Sequence, residues 1–332
     1  MSIAVDHEGA LRQLDELVRE TYQLWDQEWV GFSWRNYTYD HMARVRALAR
    51  TLGQGEGADD LVIRYGATLH DCTKSFDGEI LMTPDGKRVI DESGLWLNDY
   101  LPPARANRLT RIYDQLDLHR TVHSKSGALI ADYLLNGLGL TEGFRGHVQE
   151  VIHSHLIPGG ESSIEGKCLY DADTIDANIG LPAFYRNIRI SMHRQEEQFA
   201  QKGEDLAPWL EANRDSFLRG YLGERVRPWN EGKRNDFIPK LTTATARRVA
   251  TERVERLNVW LDTLAAELDD PEIALKEGAL AVVWDFIQRR RNPSLSQELV
   301  RLELLYCQPG GERKSPSARF IADVRREAAG ER

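Results

Sequence analysis

Four stretches of helical periodicity each carry a histidine on their apolar stripe near the expected helix end, and this restricts the fold more than any other feature of the chain. His41 shares a face with Arg44, Val45 and Leu48, and His70 with Ile63, Gly66, Ala67 and Lys74. His123 lines up with Gly127, Ile130 and Leu134, and His155 with Val148, Val151 and Ile152. A buried imidazole needs a partner at each ring nitrogen. One such residue is most often a satisfied core histidine. Four are explained more simply by convergence, since a metal ion at one nitrogen and a hydrogen-bond acceptor at the other meet both needs together. Asp71 follows His70 directly, and "YDADTIDANIG" (170–180) puts Asp173 on the face of Ala177. The candidate metal set is therefore His41, His70, Asp71, His123, His155 and Asp173.

Helical periodicity also dominates the rest of the chain, and alternating runs are scarce, so the expected fold is all-α. Helices are predicted over about 7–28, 38–53, 57–71, 103–117, 121–137, 142–155, 171–178, 181–201, 241–268, 271–291, 294–306 and 316–328. Within an insertion over 75–118, "TPDGK" is turn chemistry between two short apolar runs and predicts a β-hairpin. The Gly-, Pro- and charge-rich stretch 223–240 is the expected linker between a helical catalytic domain, 1–222 with its core about 37–200, and a helical extension, 241–332.

A formal net charge of −9 on 332 residues argues against nucleic acid as the main partner. The longest apolar run, "GALAVVW" (278–284), is far short of the roughly 20 residues a membrane span needs, and predicts a core helix. The start of the sequence has no cationic segment followed by a long apolar run, and Cys72, Cys168 and Cys307 form no CxxC pair. The expected setting is a reducing cytoplasm, with no membrane partner.

The order His, His-Asp, His, His, Asp resembles the HD-domain superfamily of metal-dependent phosphohydrolases. The resemblance is carried by "DHMARV", "LHDCTK", "VHSKSGALIADYLL", "VIHSHLIPG" and "DADTIDA". It is similar to the dinuclear branch, which includes diadenosine tetraphosphate hydrolases and HD phosphodiesterases. The sequence departs from the cyclic-dinucleotide enzymes in lacking their adjacent His-His pair and Gly-Tyr-Pro signature. The resemblance implies two divalent transition-metal ions, iron or manganese first, with zinc, cobalt, nickel or magnesium as alternatives. His41, His70, Asp71 and Asp173 would hold one ion. Asp71 would bridge to the second, completed by His123 and His155. His153 and His155 cannot both face the ions from one helix, and His155 continues the apolar stripe.

The implied reaction is hydrolysis of a phosphate ester or anhydride by a metal-bound hydroxide, on a small anionic substrate such as a nucleotide or another phosphorylated metabolite. Lys74 occupies the family's substrate-lysine position. Asp71 and Arg44 join it as catalytic candidates, with Lys125 and Arg186 as further anion-holding candidates. Two other functions remain open on the same residues: a di-iron oxygenase cleaving a C–C or C–P bond, and a metal-stabilised regulatory or binding module. Homo-oligomerisation is left open.

Overall fold

The computed structural model describes residues 5–30, 33–289, 294–307 and 315–331. The fold is all-α, and strands among the described residues are confined to two short antiparallel pairs. Contacts divide the chain into two units, Met1–Asp173 and Thr174–Arg332.

The first unit contains α1 (His7–Tyr22), the strand pair β1 (Trp29–Val30) and β2 (Ser33–Trp34), α2 (Arg35–Glu56) and α3 (Asp60–Leu69). Strands β3 (Asp77–Ile80) and β4 (Asn98–Tyr100) follow, then α4 (Arg108–Gln115), α5 (His123–Gly137), α6 (Glu142–Ser154) and the start of α7 (Ile164–Asn178). Helix α3 is the centre of this unit. Val62, Ile63 and the whole run from Tyr65 to Leu69 are buried, as expected of a helix enclosed on every side. Helices α1, α2, α5 and α6 pack around it.

Its C-terminal end, where His70 and Asp71 lie, is pinned from several directions. The Tyr22 hydroxyl donates to the Asp71 carbonyl at 2.7 Å, and Thr73 Oγ1 lies 2.8 Å from Ser126 Oγ of α5. Gly127 brings α5 so close that a Cβ there would sit 3.2 Å from the His70 carbonyl oxygen.

The insertion forms nested hairpins. Met82 pairs with Arg88 around the Thr83–Lys87 turn, Ile90 pairs with Trp96, and β3 pairs with β4. Gly86, at φ 80°, supplies the left-handed residue of that turn.

In the second unit, α8 (Leu181–Gln201), α9 (Leu206–Ala212) and α10 (Arg214–Arg219) lead through a π-helical turn to α11 (Arg227–Asp236). Helices α12 (Ala244–Glu267), α13 (Pro271–Glu277), α14 (Ala279–Gln288), α15 (Leu295–Tyr306) and α16 (Pro316–Ala328) complete it. The apolar run over 278–284 lies in α14, buried almost all round, with α8, α12, α13 and α16 packed on it. The buried Glu327 carboxylate takes the Leu181 amide at 2.7 Å and Arg256 Nη1 at 2.7 Å, tying α16 to α8 and α12.

Several boundaries differ from the sequence reading. The first helix ends at Tyr22, because the Leu24 carbonyl accepts instead from the amides of Ala104 and Arg105. Residues 103–107 are loop, and α4 starts at Arg108 behind an Asn107–Thr110 capping box. The predicted 271–291 helix breaks at Gly278, where the Glu267 carboxylate caps the amides of Ala279 and Leu280; residues 290 and 291 lie outside the described residues. The stretch 223–240, expected as a linker, is mostly helical, with Pro228 in the first turn of α11.

Gly127→Leu should force α5 away from the His70–Asp71 corner and cost about 1–3 kcal/mol in a urea unfolding curve. A variant as stable as wild type would show that this close approach is not required.

Candidate metal centre

Each candidate ligand is placed by the end or the inner face of a helix in the first unit. His70 and His155 are the C-cap residues of α3 and α6. Each ring folds back so that Nδ1 meets a carbonyl of its own last turn: Ala67 O at 2.9 Å for His70, Ile152 O at 2.6 Å for His155. His123 is the first residue of α5, and its Nδ1 lies 3.0 Å from Asp77 Oδ2. Carbonyl and carboxylate oxygens only accept, so all three rings carry the proton on Nδ1 and turn Nε2 the other way.

Those three Nε2 atoms converge on Asp71. His123 Nε2 and His155 Nε2 lie 3.5 and 3.6 Å from Asp71 Oδ1, and His70 Nε2 lies 3.7 Å from Oδ2. Among the described residues, the buried His70, His123 and His155 Nε2 atoms and Asp71 Oδ1 all lack a hydrogen-bond partner. Four such atoms facing one another in the interior would each cost on the order of 1–3 kcal/mol if nothing satisfied them.

Their spacing is too long for hydrogen bonds. It matches ligands sharing one ion, because bonds of about 2.1 Å at tetrahedral or octahedral angles put neighbouring donors roughly 3–3.6 Å apart. The donors group into two triads that share Asp71: His41, His70 and Asp71, and Asp71, His123 and His155. Imidazole and carboxylate donors suit a divalent transition metal, so the residues fit the group.

Asp173, on α7, lies 2.8 Å from His41 Nε2 and 4.0 Å from His70 Nε2. It closes the set on the first triad's side.

Charge balance fits the same arrangement. Burial pushes the Asp71 carboxyl up, but surrounding positive charge, led by the Lys74 ammonium at 2.8 Å, outweighs it and holds the group well below the usual carboxylate range. For Asp173, burial is likewise opposed by the hydrogen bond and charge of His41, which bring it down to about 2. Burial lowers His70 to about 4 against the attraction of Asp71. The ring is thus a neutral, coordinating base at pH 7.

The other sequence candidates go to different places. His153 is exposed, on the opposite side of α6 from the buried His155. Lys74 sits on Asp71 Oδ2. Arg44 is buried, bonded to Asp40 at 2.7 Å and stacked over Tyr37. Lys125 reaches Asp91 of the insertion at 2.9 Å. Arg186 belongs to the second unit, where it donates to the Ala177 carbonyl at 3.4 Å.

Two residues at the site lay outside the sequence reading. Tyr22 anchors the Asp71 backbone and Asp77 buttresses His123; the first lies on another helix and the second at the irregular root of the insertion. Periodicity relates neither of them to a ligand.

Residues 38–178 match the HD domain family, a span that contains all six residues of the set. That span lies largely in the first unit. A solved structure of a predicted HD superfamily hydrolase from an uncultured Thermotogales bacterium is 20% identical, with 77% of this chain and 92% of that one covered, at a TM-score of 0.41. YpgQ of Bacillus subtilis, solved in complex with ADP, is 20% identical over 80% of this chain and 97% of its own, at 0.37. A Lactobacillus plantarum protein is 20% identical over 77% and 96%, at 0.35. No curated protein matches the chain significantly.

Replacing the shared carboxylate in Asp71→Ala should strip both triads, reducing bound Mn²⁺ to below about a tenth of an ion per chain by elemental analysis. Retention of a full complement would refute the shared-ligand geometry. His155→Ala should lower the bound metal, whereas His153→Ala should keep the wild-type content.

In the chelator-treated protein, His70 stays neutral in the fold down to about 4, while an unfolded histidine takes up its proton near 6.5. Stability should therefore fall as pH is lowered from 7 to 5, by about 2 kcal/mol from this group. Urea curves unchanged between those pH values would contradict its burial as a neutral base.

Proposed function

We propose that the protein is a metal-dependent phosphohydrolase acting on a phosphate ester or anhydride of a small, nucleotide-like substrate, with two divalent ions on the paired triads. The observation that carries this reading is the Asp71 carboxylate, whose Oδ1 faces two histidine Nε2 atoms without a hydrogen bond while Oδ2 holds Lys74.

Two bound ions would supply Lewis acidity, lowering the pKa of a shared water towards 7 and neutralising phosphate oxygens. His41, His70 and Asp173 would hold one ion, His123 and His155 the other, and Asp71 both. Iron or manganese suits this mixed imidazole–carboxylate set.

Lys74 is about one third exposed at its side chain, and its ammonium lies over the bridging carboxylate. Once Asp71 is engaged by cations, that ammonium becomes available to an incoming phosphate, which it would bind and orient over the centre. The backbone-tethered rings of His70 and His155 keep their donors fixed while this exchange occurs. Lys125, now held by Asp91, can reach an anion only by releasing the insertion. Arg44 supports α2 near His41 through Asp40 and Tyr37, and so acts through the helix.

An oxygenase built on the same ligands would require O₂ and redox-active iron, and this separates the two reactions experimentally. With a panel of nucleotides and phosphate esters in H₂¹⁸O, turnover should proceed without oxygen and place one labelled atom in the phosphate released. Strict dependence on O₂, with label from ¹⁸O₂ in the product, would overturn the reading. Lys74→Ala should lower kcat/KM about 100-fold, roughly 2.7 kcal/mol, with metal content unchanged.

A further inference from the structure

We propose that Asp77, the first residue of β3, is a positioning residue that holds His123 ready for the second ion, so that the β-insertion governs filling of the second subsite and leaves the first independent. The proposal rests on the two-ion assignment above and goes beyond it in making the two subsites unequal.

The three convergent histidines are not supported alike. His70 and His155 lean on carbonyls three residues back in their own helices, a support that comes with the fold itself. His123 leans on a side chain 46 residues away in sequence. It is the first residue of α5, and among the described residues its ring nitrogen Nδ1 is hydrogen-bonded to Asp77. An ionised carboxylate accepts without donating, which fixes the proton on Nδ1 and leaves Nε2 as the face turned towards Asp71 Oδ1 at 3.5 Å. A carboxylate is also a stronger acceptor than a carbonyl and holds the ring orientation more firmly. The positive end of α5 favours an anion at this place.

Asp77 is itself positioned by the insertion. Asn98 Nδ2 of β4 donates to the Gly78 carbonyl at 2.9 Å, and the Phe76 and Tyr113 rings stack at 3.8 Å. At its far end, Asp91 is tied to Lys125, two residues after His123. His70, in the first triad, is instead held by a carbonyl of its own helix.

The test uses the full chain, stripped by chelator, titrated with Mn²⁺ and analysed by elemental analysis and by electron paramagnetic resonance. Wild type should bind two ions and give an exchange-coupled signal. Asp77→Ala should bind its first ion with unchanged affinity and the second about 10–100-fold more weakly, leaving an isolated Mn²⁺ signal where wild type is coupled. Asp77→Asn, whose amide oxygen can still accept from Nδ1, should recover most of that loss, which a merely structural defect would not allow. Two ions bound to Asp77→Ala with wild-type affinities would overturn the proposal, as would simultaneous weakening of both. If Asp77→Ala does not fold, Asp77→Ser takes its place, with weakening confined to the second ion supporting the proposal, and unchanged binding of both ions or weakening of both overturning it. A wild type that binds a single ion would instead remove the two-ion reading beneath it.

Discussion

The buried carboxylate of Asp71 is the element on which the rest of the site depends. A carboxylate in a protein interior is costly unless charge and hydrogen bonds surround it, and here the Lys74 ammonium supplies the charge while three imidazoles face it. Those imidazoles do not close on it as hydrogen-bond donors. Their Nδ1 atoms are already committed, so their Nε2 lone pairs and the carboxylate oxygen form a set of acceptors with no proton between them. A divalent cation resolves this arrangement.

The helices serve that carboxylate. The short helix α3 is buried nearly all round and delivers His70 and Asp71 as adjacent residues at its end, where successive side chains diverge by about 100° and can serve two ions. Gly127, Tyr22 and Thr73 fix this corner against α5 and α1. Two of the rings are then oriented by the carbonyls that every helix leaves unsatisfied at its C-terminus. Fold and site are therefore one construction: the caps that end α3 and α6 are also the supports of ligands.

Helices that bury a continuous apolar stripe were legible in the sequence, because their period survives whatever they pack against. The choice of His155 over His153 followed from the same stripe. The segment 202–240 was not legible. Its buried residues Leu206, Leu210, Leu218, Leu222 and Val226 are spaced four or eight apart among many polar residues, and a π-helical turn disturbs the usual period. Tyr22, Asp77 and Asp91 escaped for another reason. Their roles are long-range pairings, and a single sequence carries no record of which distant residue meets which. Lys125 and Arg44 looked like free cations near ligands, but each has a carboxylate partner that only the folded chain reveals.

The central claim is that one carboxylate is shared between two cation subsites. Its most direct test is anomalous diffraction at the manganese edge from crystals grown with Mn²⁺. The account predicts two peaks flanking Asp71, one on the side of His41 and His70 and one on the side of His123 and His155. A single peak bound without Asp71, or no peak among these residues, would contradict it.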